Sequence, residues 1–153
     1  MSANIAFDLG STVALFGWLL LAIGSISRHQ ALRWWSLFMG GRFIPLVLAL
    51  LYCYLTITFW GSSPDGDYSS LEGVKRLFES PGNLAAGWTH FLAFDLFVGR
   101  WIIDDSVEVG KRKWHLILCL PLTFLNGPVG LVVYVAYKVI IGRQNGFLKA
   151  LSQ

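Results

Sequence analysis

Read from its N-terminus, the chain alternates long apolar runs with short polar breaks, and the run lengths predict helices. A helix rises about 1.5 Å per residue, so roughly 20 apolar residues cross a hydrocarbon layer about 30 Å thick. Four runs meet that length, at about 5–26, 37–60, 84–103 and 116–141. The first ends at Arg28, His29 and Arg33, followed by Trp34 and Trp35, the pattern of a tight turn at a headgroup interface. Gly40, Gly41, Arg42 and Pro45 interrupt the start of the second, and Arg42 can reach an interface along its own stem. Between the second and third runs, GSSPDGDYSSLEGVKRLFESPGN reads as a loop outside the membrane. Within it Leu71, Val74, Leu77 and Phe78 recur at helical spacing, which predicts a short amphipathic helix on the bilayer surface or over the helices. The expected fold class is therefore all-α: one domain over 1–153, a four-helix transmembrane bundle with a short amphipathic helix in its second loop.

Composition strengthens this reading. The chain is 55% hydrophobic and only 14% charged, with a mean hydropathy of +0.58. A soluble domain carries about 25% charged residues to hydrate its surface. The deficit disappears if much of the surface faces lipid. The net charge of +3 lies in short basic clusters between apolar runs, not in a stripe suited to nucleic acid. On a four-span layout Arg28, Arg33, Arg42, Arg100 and Lys111 to Lys113 share one side, and Lys75, Arg76, Lys138, Arg143 and Lys149 the other. The excess of basic residues on the cytoplasmic side of membrane proteins then favours the first group inside and both termini outside. Cys53 and Cys119 lie inside apolar runs and read as packing residues. MSANIAFDLG has neither the basic start of a secretory signal nor a transit-type composition, so the chain is expected to be complete as written.

The chemistry concentrates in the third run, LAAGWTHFLAFDLFVGRWII, which carries His90, Asp95 and Arg100. An Asp or Arg at the centre of a membrane helix costs roughly 2.5–3.5 kcal/mol on insertion scales, so each such group should face inward and have a partner. Asp95 is mid-run and too short to reach an interface. Helical geometry puts Trp88, Phe91, Asp95, Gly99 and Ile102 on one stripe and His90 about 140° away. Asp95 must then find its partner on another helix, and Asn126 is at a comparable depth. Arg100 and Asp104, spaced i, i+4, are expected to pair near the interface. Pro121 and Pro128 should each bend the fourth run, and Asn126–Gly127 before Pro128 should open a local break beside Asp95. A purely structural role, with buried polar groups holding helices together, accounts for the same residues.

Several chemistries find no seat. Three histidines are too few for a di-iron membrane oxygenase, no Lys precedes Lys138 inside a run, and no GxSxG, P-loop or dinucleotide fingerprint occurs. No cofactor and no metal site is expected.

The segments GWTHFLAFDLFVGRWIIDD, 87–105, and LCLPLTFLNGPVGLVVY, 118–134, resemble the abscisic-acid-deficient-four-like family, whose plant members are associated with neoxanthin synthesis. The matching positions are Gly87, Trp88, His90, Leu92, Ala93, Asp95, Leu96, Phe97, Arg100, Pro128 and Gly130. The lack of a plastid leader suggests a bacterial member in the inner membrane. The resemblance implies a role with a carotenoid or other terpenoid. Violaxanthin becomes neoxanthin by a redox-neutral isomerisation, which needs a proton donor at the epoxide oxygen and a base at the neighbouring carbon. On this reading Asp95 is the acid, His90 the base or the holder of a water, and Trp88, Asn126, Arg100 and Asp104 contact the substrate. Two other readings stay open: a non-catalytic protein that binds lipid or pigment, and a small transporter subunit. Membrane lipid is a partner under all three, and nucleic acid under none.

Overall fold

The computed structural model describes residues 1–109 and 114–151, and the side chains of 1–106 and 115–141. All the regular structure among the described residues is helical. Helix α1 is Ala3–Ile26, α2 is Gln30–Phe38, and α2 runs through a π-helical turn, Met39–Phe43, into α3, Ile44–Phe59. After a 3₁₀ turn, Trp60–Ser62, come α4, Leu71–Glu79, and α5, Pro81–Val109; α6 is Trp114–Asn126 and α7 is Pro128–Leu151.

Local chemistry sets these boundaries. The Ser2 hydroxyl accepts from the Ile5 amide to open α1, and His29 Nδ1 accepts from the Leu32 amide to open α2. Ser70 caps α4 through the Gly73 amide at 3.0 Å. The turn before it is tied by Asp67, whose Oδ1 accepts from both the amide and the hydroxyl of Ser69. The expected amphipathic helix thus forms, and it packs against α5: Leu77 is buried, while Phe78 lies against Gly87. Leu71, expected on the same apolar stripe, points away and is 88% exposed.

Two helices are long and apolar enough to cross a membrane: Ala3–Ile26 and the continuous run Gln30–Ser62. α5 has the length but carries His90, Asp95 and Arg100. It is central, with α1, α3, α4, α6 and α7 all packed on it, and that packing buries Asp95 and half-buries Arg100, whereas His90 stays exposed. Gly10 faces Thr89 and Gly17 faces Leu96, so α1 and α5 run parallel. Gly41 faces Arg100, Tyr52 faces His90 and Phe59 faces Gly82, so α3 runs against them. In the π-helical turn, a Cβ on Gly40 would lie 2.6 Å from the Gly17 carbonyl oxygen. Only glycine admits so close an approach of the two backbones.

The fourth run departs from expectation. In place of one bent helix over 116–141, it forms two helices that fold back on each other. The α6 helix ends in Gly127, at φ 39°, whose amide donates to the Thr123 carbonyl at 2.8 Å; Pro128 then opens α7. Glycine tolerates the left-handed conformation that stops a helix, and proline suits a first turn where its amide is not needed. The two arms stay together: His115 stacks on Tyr137 with ring centroids 4.4 Å apart, and Gly130 sits against Thr123 and the Cys119 carbonyl. In a straight helix, residues 115 and 137 would stand about 33 Å apart. The expected bend at Pro128 is therefore a reversal, and Pro121 lies within α6. The reversal also separates the chain ends. The N-terminal ammonium meets Tyr54 near the end of α3, whereas α7 runs parallel to α5 toward the opposite end, where Lys138 meets Asp105.

Candidate functional site

Asp95 lies halfway along α5 and is 7% exposed. Its carboxyl rests against Gly127, the residue at the tip of the α6–α7 hairpin. One turn further along α5, Gly99 receives the Trp18 ring, and Trp18 meets Phe124 edge-on at 5.6 Å. The acid thus lies against the glycine turn, with an aromatic pair one turn further along α5. Among the described residues it enters no ion pair and no side-chain hydrogen bond. Asn126, the expected partner, is exposed and makes no hydrogen bond to it. The physical reason is the reversal. With the backbone turning at Gly127, the glycine and not the amide side chain faces α5.

His90 occupies a different place. It lies about five residues before Asp95, on the side of α5 that faces α3, with its ring 5.3 Å from Tyr52 and stacked on Phe94 at 4.7 Å. Beside it is a cavity of about 260 Å³ under α4, lined by Tyr52, Thr56, Trp60, Tyr68, Asn83 and His90 among others. The Thr56 hydroxyl is buried there without a partner. An aromatic pocket with a few hydroxyl and imidazole groups suits an apolar ring bearing an oxygen function. Asp95 does not line this cavity.

The remaining expected contacts divide. Arg100 and Asp104 pair as anticipated, Nε to Oδ2 at 2.7 Å, and the Arg100 stem fills the space left by Gly41. One Arg100 terminal nitrogen, Nη1, is buried without a partner. Trp88 donates its indole N–H to Ser11 at 3.0 Å and lies beside Phe7, so it braces α1 against α5 and faces neither Asp95 nor the cavity. Asp105, not singled out from the sequence, accepts from Tyr134 at 2.6 Å and from Lys138 at 2.7 Å. Those hydrogen bonds, Lys138 first and then Tyr134, hold its carboxyl below the ordinary range. The spacing of Tyr134 and Lys138, i and i+4, was the available signal for a shared partner.

A second, larger space opens between α1 and α6. It is a groove of about 1250 Å³ with walls from Leu15, Trp18, Leu19, Leu120 and Phe124 and with Arg28 and Arg33 at one end. Among the described residues no group of three or more His, Cys, Asp or Glu could hold a metal ion.

These features define an all-helical protein with helices suited to a membrane and a buried acid at the tip of a folded-back hairpin. A family model described as ABA DEFICIENT 4-like matches residues 5–134, and the chain belongs to that family. The match takes in Asp95, the hairpin tip and Tyr134. Among curated proteins the chain is similar to Protein ABA DEFICIENT 4, chloroplastic, of Arabidopsis thaliana: 33% identity over 107 residues, covering 65% of this chain and 47% of that protein. The chain thus spans about half the length of the curated relative it matches. No solved structure matches it.

Proposed function

We propose that this protein sits in a bilayer and acts on a carotenoid or related terpenoid as a redox-neutral isomerase, with Asp95 moving the proton. In this reading α1, the run 30–62 and residues 84–103 of α5 cross the membrane, giving three spans. The α6–α7 hairpin enters from one side and returns to it. At 13 residues, α6 is about 20 Å long, too short to cross, and its tip stops near mid-depth. Irregular backbone at that depth survives only where protein covers it, and Gly127 is buried. Among the described residues, Arg28, Arg33, Arg42, Arg100 and Lys138 gather at the hairpin's end and only Lys75 and Arg76 at the other, which favours the hairpin side as cytoplasmic.

The observation that supports the catalytic reading is a buried acid halfway along α5 with no ion-pairing group beside it among the described residues, which the three-span reading puts at membrane depth. Such a residue is costly, and function is the usual reason to keep one. His90 faces another cavity, so the reading assigns both proton transfers to Asp95. Its carboxyl gives a proton to the epoxide oxygen as the carbon–oxygen bond breaks. The carboxylate left behind takes the proton from the neighbouring carbon as the allene forms. One proton is delivered and one removed, so the group ends as it began and no oxidant is needed.

The test is pigment analysis of a violaxanthin-accumulating host. Expression of the protein should yield neoxanthin, and Asp95→Asn at equal abundance should not. An unchanged pigment profile on expressing the wild-type chain removes the isomerase reading. The second reading, a non-catalytic lipid- or pigment-binding protein, is favoured by the fact that Asp95 lines neither large cavity. Retention of pigment on purification without conversion would select it.

A further inference from the structure

The groove between α1 and α6 has a polarity gradient along its length. Its inner part is lined by Leu15, Trp18, Leu19, Leu120 and Phe124, with Trp18 and Phe124 meeting edge-on, and its mouth holds Arg28 and Arg33. From Leu15 to Ile26 the wall runs 11 residues along α1, about 16 Å, close to half the thickness of a hydrocarbon layer. A chain lying in the groove would therefore run from one interface to the midplane and stop.

Among the described residues, the mouth keeps its positive charge because two acids at this end of α5 are engaged elsewhere. Asp104 pairs with Arg100, and Asp105 with Lys138. Neither the Arg28 nor the Arg33 guanidinium enters an ion pair or hydrogen bond among the described residues. Trp34 and Trp35, both exposed on the adjoining α2, mark the level at which aromatic residues meet headgroups. Basic pockets between helices at this level bind phosphate headgroups.

We infer that this groove is a binding site for an anionic glycerophospholipid, with one acyl chain along α1 and α6 and the phosphate between Arg28 and Arg33. The length of the groove matches one leaflet's acyl chain and is too short for a molecule that spans both leaflets. The site lies apart from the His90 cavity and does not include Asp95. It requires a bilayer but no turnover.

The test is lipid retention by the full chain, measured by native mass spectrometry after detergent release, with phosphatidylglycerol, phosphatidylcholine and geranylgeranyl diphosphate as probes. The wild-type protein should keep phosphatidylglycerol and lose phosphatidylcholine. Arg28→Gln with Arg33→Gln should weaken phosphatidylglycerol retention roughly 10- to 30-fold, given the usual contribution of a basic residue at a lipid surface. Arg42→Gln, outside the groove, should leave it unchanged. Ala22→Trp, which fills the wall while keeping both arginines, should exclude the lipid and provides the check if the double variant folds poorly. Equal retention of the two phospholipids, undiminished binding in either groove variant, or tighter binding of geranylgeranyl diphosphate overturns the assignment. Asp95→Asn should abolish pigment conversion without altering lipid retention, so the two readings fail separately.

Discussion

The carboxyl of Asp95 occupies the space that a Cβ on Gly127 would take, so a side chain at position 127 must displace the acid. Gly127 also carries the one positive φ among the described residues, 39°. Position 127 is therefore restricted twice, by its backbone conformation and by its neighbour. Gly127→Ala should lower stability by about 2 kcal/mol or more, from the left-handed backbone alone and then from displacement of the acid. Gly61→Ala, where a new Cβ would meet nothing within 4 Å, is the matched control and should leave the unfolding midpoint in detergent where it was.

Asp95→Asn keeps the shape of the side chain and removes its proton chemistry. Because no cation depends on this carboxyl among the described residues, the change should not reduce the unfolding midpoint. Conversion should fall about 100-fold or more, the usual scale of general acid–base catalysis. A variant that unfolds and loses activity together would mark Asp95 as a structural residue.

The Asp105–Lys138 pair supplies a pH dependence whose sign follows from its hydrogen bonds. The folded-state pKa is below the ordinary carboxyl value of about 3.9. The group therefore stabilises the fold above that value and loses its contribution as pH falls through the lower folded value. Thermal midpoints should be flat from pH 7 to 5 and drop below pH 4. Asp105→Asn should cost about 1 kcal/mol at neutral pH, and its profile should be flatter on the acid side.

Side-specific labelling separates a folded-back hairpin from a fourth crossing. With Cys53 and Cys119 replaced by serine, an impermeant thiol reagent should distinguish Ser69→Cys, near α4, from Gln30→Cys, at the basic end. A C-terminal tag should share the side of Gln30→Cys. A tag on the side of Ser69 would restore a continuous fourth span.

Much of this arrangement was readable in the residues, and the failures share one cause. The ends of α1, the α4 helix and the Arg100–Asp104 pair depend on neighbours within a few positions, so spacing alone exposes them. The polar load on the third run foretold its central place. The fourth run is a hairpin where its hydropathy predicts one span, because hydropathy measures length and cannot register direction. Asn126–Gly127–Pro128 announces a break, but whether the chain continues or reverses depends on Gly130 meeting Thr123 and Cys119, and on His115 meeting Tyr137. Asp105 was overlooked for the same reason, since its partners lie 29 and 33 residues away and come within reach only once the hairpin closes. Depth alone makes Asn126 and Gly127 equivalent neighbours for Asp95, and only the direction of the turn separates them.

The widened turn at Met39–Phe43 has an effect well beyond its own five residues. A π-helical turn accommodates one residue more than the α-helix around it, so everything after it is rotated by about 100°. Tyr52 and Thr56 confront His90 because of that offset, set roughly two and a half to three and a half turns earlier at the opposite end of α3. Deleting one residue there would swing these groups away from the cavity while leaving its chemical inventory untouched. Comparisons among relatives should therefore weigh the length of this segment as heavily as the identity of the residues around His90.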